Sequence, residues 1–307
     1  MKLPFNRDHH PEVGIPLYLC DGLRVITANN ASPMTFTGTQ TYLLGERELA
    51  IIDPGPDDPA HLAAIMAAIA GQVVSHIFVT HSHIDHSPLA ARLSAITGAP
   101  VYGFGPANAA RTEIMESLAL TGDLGGAEGI DLNFAPDVLL KDGARITGDG
   151  WEMEALHTPG HLSNHLCYAW IGQGCLFSGD HVMGWATTLV SPPDGDLSAF
   201  MASLRKLQGR GEHIYYPGHG APIETAHNML EYLLAHRLER EDQIKAVLAQ
   251  SCRTVAELTA EIYADINPNL HGAAARNVLA HIIDLHARKI ISPVGEFTAS
   301  GRFKLLR

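Results

Sequence analysis

Residues 80–86 carry four side chains that can bind a metal ion within a span of six positions. They follow an apolar run and are His81, His83, Asp85 and His86. If strand geometry persists, His81, His83 and Asp85 lie on one face of the strand and their sequence neighbours on the other. A turn then brings in His86. The chain has 18 His, so some neighbours arise by chance. The order His-x-His-x-Asp-His nevertheless predicts a site for Zn²⁺ or a similar divalent transition metal, because imidazole and carboxylate suit such ions.

Three later segments repeat one pattern, in which a strand ends, a glycine permits a sharp turn and a ligand-type side chain follows. These side chains are His161, Asp180 and His219. Loops held on a rigid sheet are where catalytic residues usually lie. The three residues are therefore candidates for the same site as residues 80–86.

Short apolar strands interleave with helices over the first 225 residues or so, which predicts a layered α/β fold. Residues 105–136 are rich in Ala, Gly and Thr and weakly periodic, so we expect a loop or lid with some helix. The predicted helices cover residues 59–70, 89–97 and 198–207. The predicted strands cover residues 39–45, 49–55, 73–79, 100–103, 139–146, 151–157, 166–171, 175–178 and 212–216.

The composition changes near residue 224, where a long charged segment without Gly or Pro begins. Helices are predicted over residues 224–250, 255–266 and 270–290, and two short strands follow. Thr254 and Glu257 form a capping box at the start of the second of these helices. Three helices and a hairpin are the order of a winged-helix-like module. We therefore divide the chain into a catalytic region, residues 1–225, and a helical winged-helix-like domain, residues 226–307.

Taken in order, the candidate residues resemble the five motifs of the metallo-β-lactamase superfamily. The matching residues are Asp53, His81, His83, Asp85, His86, His161, Asp180 and His219. The later part further resembles the lactamase-beta-2-like branch, which appends a winged-helix-like domain. That resemblance rests on residues 216–220 (Tyr-Pro-Gly-His-Gly), 236–240 (His-Arg-x-x-Arg) and 277–281 (Asn-Val-Leu-Ala-His). It implies an α/β fold, the metallo-β-lactamase αββα sandwich, with a C-terminal helical winged-helix-like domain.

The resemblance also implies a centre that holds two Zn²⁺ ions, or two ions of another divalent transition metal. By this resemblance one ion is bound by His81, His83 and His161, the other by Asp85, His86 and His219, and Asp180 bridges them. Two ions ~3.5–4 Å apart can share a water and generate hydroxide at neutral pH. Asp85 and Asp180 are thus the catalytic candidates, and Asp85 could also take protons or orient the nucleophile.

Three more residues are candidates for supporting or substrate-facing roles. Asp53 either fixes a ligand His by a hydrogen bond or caps a turn, and the two roles are compatible. His157 ends a strand, which favours a structural or supporting role over ligation. His165 either faces the substrate or is a solvated loop residue. Residues 185–188 follow Asp180 closely, so we expect them to line the pocket.

Charge and composition limit the partners. The formal charge is −12, and residues 1–228 alone carry −13, from 11 Lys and Arg against 24 Asp and Glu. Such a surface repels a polyanion, and only 7% of residues are aromatic, so the balance favours a small-molecule or carrier-bound substrate over RNA. No apolar run reaches the about 18–20 residues of a membrane span, and the N-terminus lacks an apolar secretory segment. We therefore expect a cytoplasmic protein with no membrane contact and reduced cysteines, although a Cys167–Cys175 disulfide would be geometrically feasible.

The leading interpretation is a dinuclear zinc hydrolase that uses a metal-bridging hydroxide on an ester, thioester or lactone. A metal-dependent endoribonuclease or phosphodiesterase and a cytosolic β-lactamase-like activity are the alternatives. A redox role is disfavoured because relatives of that kind use a Glu in the cluster, where this chain has His83. A nucleic-acid role for the C-terminal tail is weak, since its net charge is only +1. We expect the tail to cover part of the active-site cleft or to form a homodimer interface.

Overall fold

Two β-sheets pack face to face, and helices cover the outer face of each. The protein is described here by a computed structural model that covers residues 4–124, 126–127, 129–265 and 267–306. This αββα arrangement is the layered fold that the sequence predicted. None of the described helices is long and apolar enough to span a membrane.

The first sheet has seven strands that follow one another in chain order. The first four strands pair antiparallel and the last four parallel, with α1 (Pro59–Ala68) and α2 (Leu89–Thr97) crossing between parallel neighbours. The helix α1 begins at Asp58, whose carboxylate accepts a hydrogen bond from the Ala60 amide. The strands are β1 (Leu17–Cys20), β2 (Leu23–Thr27), β3 (Gln40–Leu44), β4 (Glu48–Ile52), β5 (Val73–Phe78), β6 (Val101–Gly103) and β7 (Val138–Leu139).

The second sheet has five strands in the order β12, β11, β10, β9, β8. Its neighbours are antiparallel except for the parallel pair of β11 and β12. The helix α4 (Leu197–Gln208) connects that pair, while α3 (Glu113–Thr121) lies within the segment 105–136. The strands are β8 (Arg145–Gly148), β9 (Trp151–His157), β10 (Leu166–Trp170), β11 (Cys175–Gly179) and β12 (Ile214–Pro217).

The main core lies between the two sheets. Aromatic side chains from both inner faces fill it, including Tyr42, Phe78, Tyr168 and Phe177, and each of the four is at most 3% exposed. A second core lies under α1 and α2, and a third lies between the second sheet and α4. Large rigid side chains packed on both sheets hold the strand ends in fixed positions, which is what loops carrying a site require.

The C-terminal part is a helical module with a small sheet. It contains α5 (Ala226–Gln250), β13 (Arg253–Thr254), α6 (Val255–Ile262), a 3₁₀ turn (Pro268–Leu270), α7 (His271–Ala287), β14 (Ile291–Pro293) and β15 (Arg302–Leu305). The three strands pair in the order β13, β15, β14. The predicted capping box is present, because Thr254 and Glu257 each accept a hydrogen bond from the other's backbone amide.

The helix α5 belongs to two cores. Leu230 and Leu233 pack under the second sheet, whereas Ile244 and Leu248 pack in the core of the C-terminal module. The helix thus connects the two parts through continuous packing. The division at residue 226 stays a prediction.

Several predicted elements need correction. Residues 139–146 are not one strand, because a turn at Gly143 (φ 76°) separates β7 from β8. The strands β1 and β2 were not predicted. The helix α6 ends at Ile262, short of the predicted residue 266, which lies outside the described residues. All four cysteines are free, and the thiol of Cys167 donates to the Ser178 carbonyl instead of bonding to Cys175.

Candidate metal centre

Four loops meet at one edge of the sandwich and bring all the predicted ligands together. They follow β5, β9, β11 and β12. Because β5 ends at Phe78, the segment with the first four candidates is a loop. The strand alternation expected for residues 81–85 therefore does not apply. Turn geometry places these side chains instead.

The ligand-type atoms form two adjoining groups, and within each group all of them lie within 4.8 Å of one another. The first group is His81, His83, His161 and Asp180, and the second is Asp85, His86 and His219. The Asp85 side chain is 20% exposed and His83 is half-buried, whereas His81, His86 and His219 are buried. The grouping matches the two ligand sets that the resemblance implied, whose roles stay a prediction.

Asp180 faces both groups. Its Oδ2 atom lies 3.6 Å from Nε2 of His161 and 3.3 Å from Nε2 of His219. Its Oδ1 atom lies 3.5 Å from Nε2 of His86. A single carboxylate between two nitrogen clusters is the geometry that a bridging ligand needs.

Asp53 orients two of the imidazoles through hydrogen bonds on the side away from the centre. Its carboxylate accepts hydrogen bonds from Nδ1 of His86 at 2.9 Å and from the Thr80 hydroxyl at 2.8 Å. The Thr80 oxygen can then accept from Nδ1 of His81, which lies 2.9 Å away. With each Nδ1 proton held in this way, Nε2 of His81 and His86 is left free to face the centre. Asp53 therefore has the supporting role that the sequence allowed.

Backbone carbonyls orient two more imidazoles. Nδ1 of His161 donates to the Leu189 carbonyl at 2.8 Å, and Nδ1 of His219 donates to the Gly38 carbonyl at 3.2 Å. Their Nε2 atoms also face the centre. His83 presents Nδ1 instead, 3.0 Å from Nε2 of His161. These tautomers follow from the hydrogen-bond partners.

The two groups differ in charge. Burial, reinforced by the neighbouring His161, lowers the pKa of His83 to about 3. Burial also acts on His219, but the carboxylates of Asp180 and Asp85 outweigh it and raise the pKa of His219 to about 9. Without bound ions the first group is thus mainly neutral imidazole, while the second pairs a cationic imidazole with carboxylates. Metal binding at the second group must therefore release protons.

The residues fit a pair of metal ions. Nε2 of His86 and Oδ1 of Asp180 are buried and have no hydrogen-bond partner among the described residues. Buried polar atoms are normally paired, so unpaired atoms that converge on one point are suited to bind a cation. Five imidazole nitrogens and two carboxylates supply enough ligands for two ions with nitrogen and oxygen coordination.

Comparison with known proteins agrees with this geometry. Residues 34–219 match the Metallo-beta-lactamase superfamily, and residues 254–298 match the Beta-lactamase associated winged helix domain. The chain belongs to the metallo-β-lactamase superfamily. The match to the winged helix domain covers β13 (in part), α6, α7 and β14, so the C-terminal module is a winged-helix domain.

Two relatives and one solved structure illustrate the likeness. A beta-lactamase-like protein 2 homolog of Drosophila melanogaster is 30% identical over 83% of this chain and 85% of that protein. An atrochrysone carboxyl ACP thioesterase of Aspergillus fumigatus is 31% identical over 73% of this chain and 64% of that protein. A beta-lactamase domain protein from Burkholderia ambifaria has the same fold, with a TM-score of 0.79, 20% identity and coverage of 97% and 96%. The superfamily and its hydrolase relatives make this chain a metal-dependent hydrolase.

A cleft of about 700 Å³ opens over the candidate metal ligands of this superfamily member. Its walls are largely apolar, with Met34, Ile84, Leu162 and Leu189 among them. The helix α7 contributes Gly272, Ala273 and Arg276, so the winged-helix domain covers part of the cleft as predicted. Among the described residues, 185–188 do not line it, contrary to expectation, and Leu189 and Ser191 do.

Two sequence candidates lie outside the cleft. His157 donates through Nε2 to the Ser163 carbonyl at 3.0 Å and stacks on Phe104 with ring centroids 3.9 Å apart, which is a structural role. His165 is fully buried behind His81, with ring centroids 5.1 Å apart. Among the described residues it is neither solvent-exposed nor part of the cleft lining, so the solvated and substrate-facing alternatives do not apply, and a supporting role behind His81 stays a prediction.

Small residues let the loops of the centre approach one another. A Cβ atom on Gly218 would lie 2.4 Å from Oδ1 of Asp180 and 2.7 Å from Cε1 of His86. No other residue type fits there without moving a metal-binding side chain. The Gly before His219 therefore serves close packing in addition to the turn.

Sequence reasoning missed two side chains, Thr39 and Thr80, that hold the candidate ligands. Thr39 donates to Oδ2 of Asp85 at 3.1 Å and is itself held by Asn30. Thr80 connects Asp53 to His81, as described above. The only signal for Thr80 was its place directly before the His cluster, and Thr39 had none beyond its place at a strand start.

Proposed function

We propose that this chain is a dinuclear zinc hydrolase that cleaves an acyl-thioester, ester or lactone on a small or carrier-borne substrate. The observation that carries the proposal is the pair of adjoining ligand groups with Asp180 facing both. Zinc suits the five imidazoles and two carboxylates, although another divalent transition metal has similar preferences. When bound, such ions polarise a carbonyl oxygen and lower the pKa of a water molecule.

The protein side chains have separate tasks in this reaction. The pKa of Asp85 lies well below its usual range, because burial is outweighed by His86 and His219, so its carboxylate is ionised at neutral pH. The Thr39 hydroxyl holds one of its oxygens. Asp85 also lines the cleft, so it can accept a hydrogen bond from an attacking water and orient it. Asp180 lies deeper and serves as a ligand.

The cleft favours an acyl substrate over RNA. Its lining is largely apolar, and Asp194 is the one acidic lining residue outside the two ligand groups among the described residues. Arg276 is the one Lys or Arg among the described lining residues. Its nitrogens already donate to the Ser191 hydroxyl and to the carbonyls of Leu124 and Pro192. The thioesterase name of a relative agrees with this preference.

A parallel hydrolysis screen tests the proposal. Acyl-thioesters, lactones, nitrocefin and single-stranded RNA are each incubated with the zinc-grown enzyme, with and without chelator, after its metal content is measured. We expect about two ions per chain and chelator-sensitive cleavage of a thioester, ester or lactone. A protein that carries no metal after growth with zinc would contradict the proposal. Preferential cleavage of RNA or nitrocefin would replace it with the phosphodiesterase or β-lactamase-like alternative.

Two variants distinguish the loss of a metal ligand from a general effect of substitution on the protein. Asp180→Ala removes the carboxylate shared by both groups, so it should abolish hydrolysis and lower metal occupancy. Asp8→Ala is the control, since the Asp8 side chain is 95% exposed and pairs only with His10 in the described chain. If Asp180→Ala hydrolyses the substrate like Asp8→Ala, Asp180 is not a bridging ligand.

A further inference from the structure

The imidazole of His161 depends on a short loop that contributes no side-chain ligand. Residues 188–190, called here the 188–190 loop, lie between Asp180 and α4. The Leu189 carbonyl accepts the Nδ1 proton of His161 at 2.8 Å, which turns Nε2 toward His83. A shift of this carbonyl would therefore free the ring or change its tautomer.

Two residues from the C-terminal part of the chain hold the loop on either side of that carbonyl. Arg237 of α5 donates through Nη2 to the Thr188 carbonyl. Asn277 of α7 accepts through Oδ1 from the Val190 amide at 3.1 Å. Arg237 also donates through Nη1 to the same Asn277 oxygen at 2.9 Å. The three bonds form a clamp, Arg237–Asn277, that spans the peptide units flanking Leu189.

The burial of Arg237 shows that the clamp is a specific arrangement. The residue is only 3% exposed, and its described polar contacts are a carbonyl and an amide oxygen, with the Phe200 ring 5.3 Å away. Burying a guanidinium without a carboxylate is unfavourable and is tolerated when its hydrogen bonds are needed. Apolar packing of α5 alone would not require a charge at this position.

The loop also reaches the bridging candidate. The Thr188 hydroxyl donates to the backbone carbonyl of Asp180 at 2.8 Å. Thr188, whose carbonyl accepts from Arg237, is therefore also hydrogen-bonded to the backbone of Asp180. Through this loop the clamp acts directly on the imidazole of His161 and through the backbone on Asp180, and it contacts no described ligand that belongs to the second group alone.

We propose that Arg237 and Asn277 are positioning residues, which hold the 188–190 loop so that His161 presents Nε2 to the metal ion of the first group. The proposal rests on the two-ion occupancy proposed above. By this route the winged-helix domain, through α7, sets the affinity of one ion of the pair. The other ion, held by Asp85, His86 and His219, shares only Asp180 with this route, so its affinity should change much less.

Metal titration of the full-length protein tests this. The chain is stripped with chelator and titrated with Zn²⁺ against a chromophoric chelator, and with Co²⁺ to record its absorption spectrum. His161→Ala and His219→Ala identify which dissociation constant belongs to which group. Asn277→Ala should weaken the affinity for the ion of the first group by about 10- to 100-fold and leave the affinity for the other ion within about twofold. The Co²⁺ spectrum of the first group should change as well.

Asn277→Asp is the rescue variant, because it keeps the acceptor oxygen and pairs with Arg237. It should bind both ions within about threefold of wild type, as a retained hydrogen bond implies. Arg288→Ala is the matched control, since Arg288 joins the same two helices through Glu241 and Asp284 but does not contact the loop. If Asn277→Ala does not fold, Arg237→Lys takes its place, because Lys keeps the charge but cannot reach both acceptors.

The outcomes separate this inference from the proposed function. A wild-type protein that binds fewer than two ions overturns the proposed function. A wild-type protein with two ions, together with Asn277→Ala that binds both normally, overturns only the clamp. Equal weakening of both ions in Asn277→Ala, or a failure of Asn277→Asp to restore binding, also overturns the clamp, since a general packing defect would explain it.

Discussion

Replacing Asp53 by Asn tests how the ligand imidazoles are oriented. The change removes one negative charge and keeps the shape of the side chain. Asp53 has a positive φ of 50°, a backbone region that Asn tolerates as readily as Asp. Its carboxylate accepts three hydrogen bonds, from the Thr80 amide at 2.7 Å, the Thr80 hydroxyl at 2.8 Å and Nδ1 of His86 at 2.9 Å. The effect should therefore fall on hydrogen bonding and leave the fold intact.

An amide has only one acceptor oxygen. If that oxygen accepts from the Thr80 backbone, the NH₂ group faces His86 and can only donate. Nδ1 of His86 must then accept, and the ring proton moves to Nε2, the atom that faces the centre. A protonated nitrogen cannot bind a metal ion. Restoring the binding tautomer would leave a buried donor facing a donor, which costs about 1–3 kcal/mol, or about 5- to 150-fold in metal affinity.

Stepwise metal titration measures this loss, and nitrogen NMR of labelled His reports the tautomer. In Asp53→Asn the ion held by Asp85, His86 and His219 should bind about 10- to 100-fold more weakly. Asp149→Asn is the control, because Asp149 forms a surface ion pair with Arg47. Wild-type affinity for both ions in Asp53→Asn, with the His86 tautomer unchanged, would refute the orientation role.

Two further predictions concern acid stability and the cleft. Burial lowers the pKa of His61 to about 4, so the unfolded chain binds the proton more strongly and stability should fall by about 3 kcal/mol from pH 6.5 to pH 4. In urea unfolding with chelator present, His61→Gln should lose this part of the pH dependence of the unfolding free energy. An unchanged pH dependence would contradict the prediction. A Cβ on Gly272 meets no atom within 4 Å, so Gly272→Leu should fold and narrow the cleft. It should raise KM for a long-chain acyl-thioester by about tenfold and leave KM for an acetyl-thioester nearly unchanged. Gly211→Leu is the control, because a Cβ on Gly211 also meets no atom within 4 Å, and it should alter neither KM.

The ligand candidates were predictable because the residue types His and Asp are themselves metal-binding. A buried strand followed by His, Asp and His at close spacing has few other uses, and the Gly before His161, Asp180 and His219 signals the sharp turns that aim them. The fold class followed from the interleaved strands and helices. Helix boundaries with strong caps, such as Gly98 after α2, were also predicted correctly, since Gly98 takes φ 78°.

Apart from Asp53, the groups that hold the candidate ligands could not be predicted in the same way. His161 and His219 are oriented by the carbonyls of Leu189 and Gly38, and every residue has a carbonyl whatever its side chain. Only the path of the chain decides which carbonyl lies within reach. The same limit applies to residues 139–146, where local hydrophobicity indicated one strand and the turn at Gly143 divided it.

The contacts of α5 and α7 also decide how the winged-helix domain should be understood. A separate binding module would need a free surface, but α5 packs under the second sheet as well as in the core of the C-terminal module. The helix α7 lines the cleft with Gly272 and Ala273 and bonds through Asn277 to the loop beside His161. The segment matched as a winged helix therefore supplies part of the cleft wall and a hydrogen bond to the loop beside His161. Its near-neutral charge agrees with this use, since a nucleic-acid interface would need a basic face.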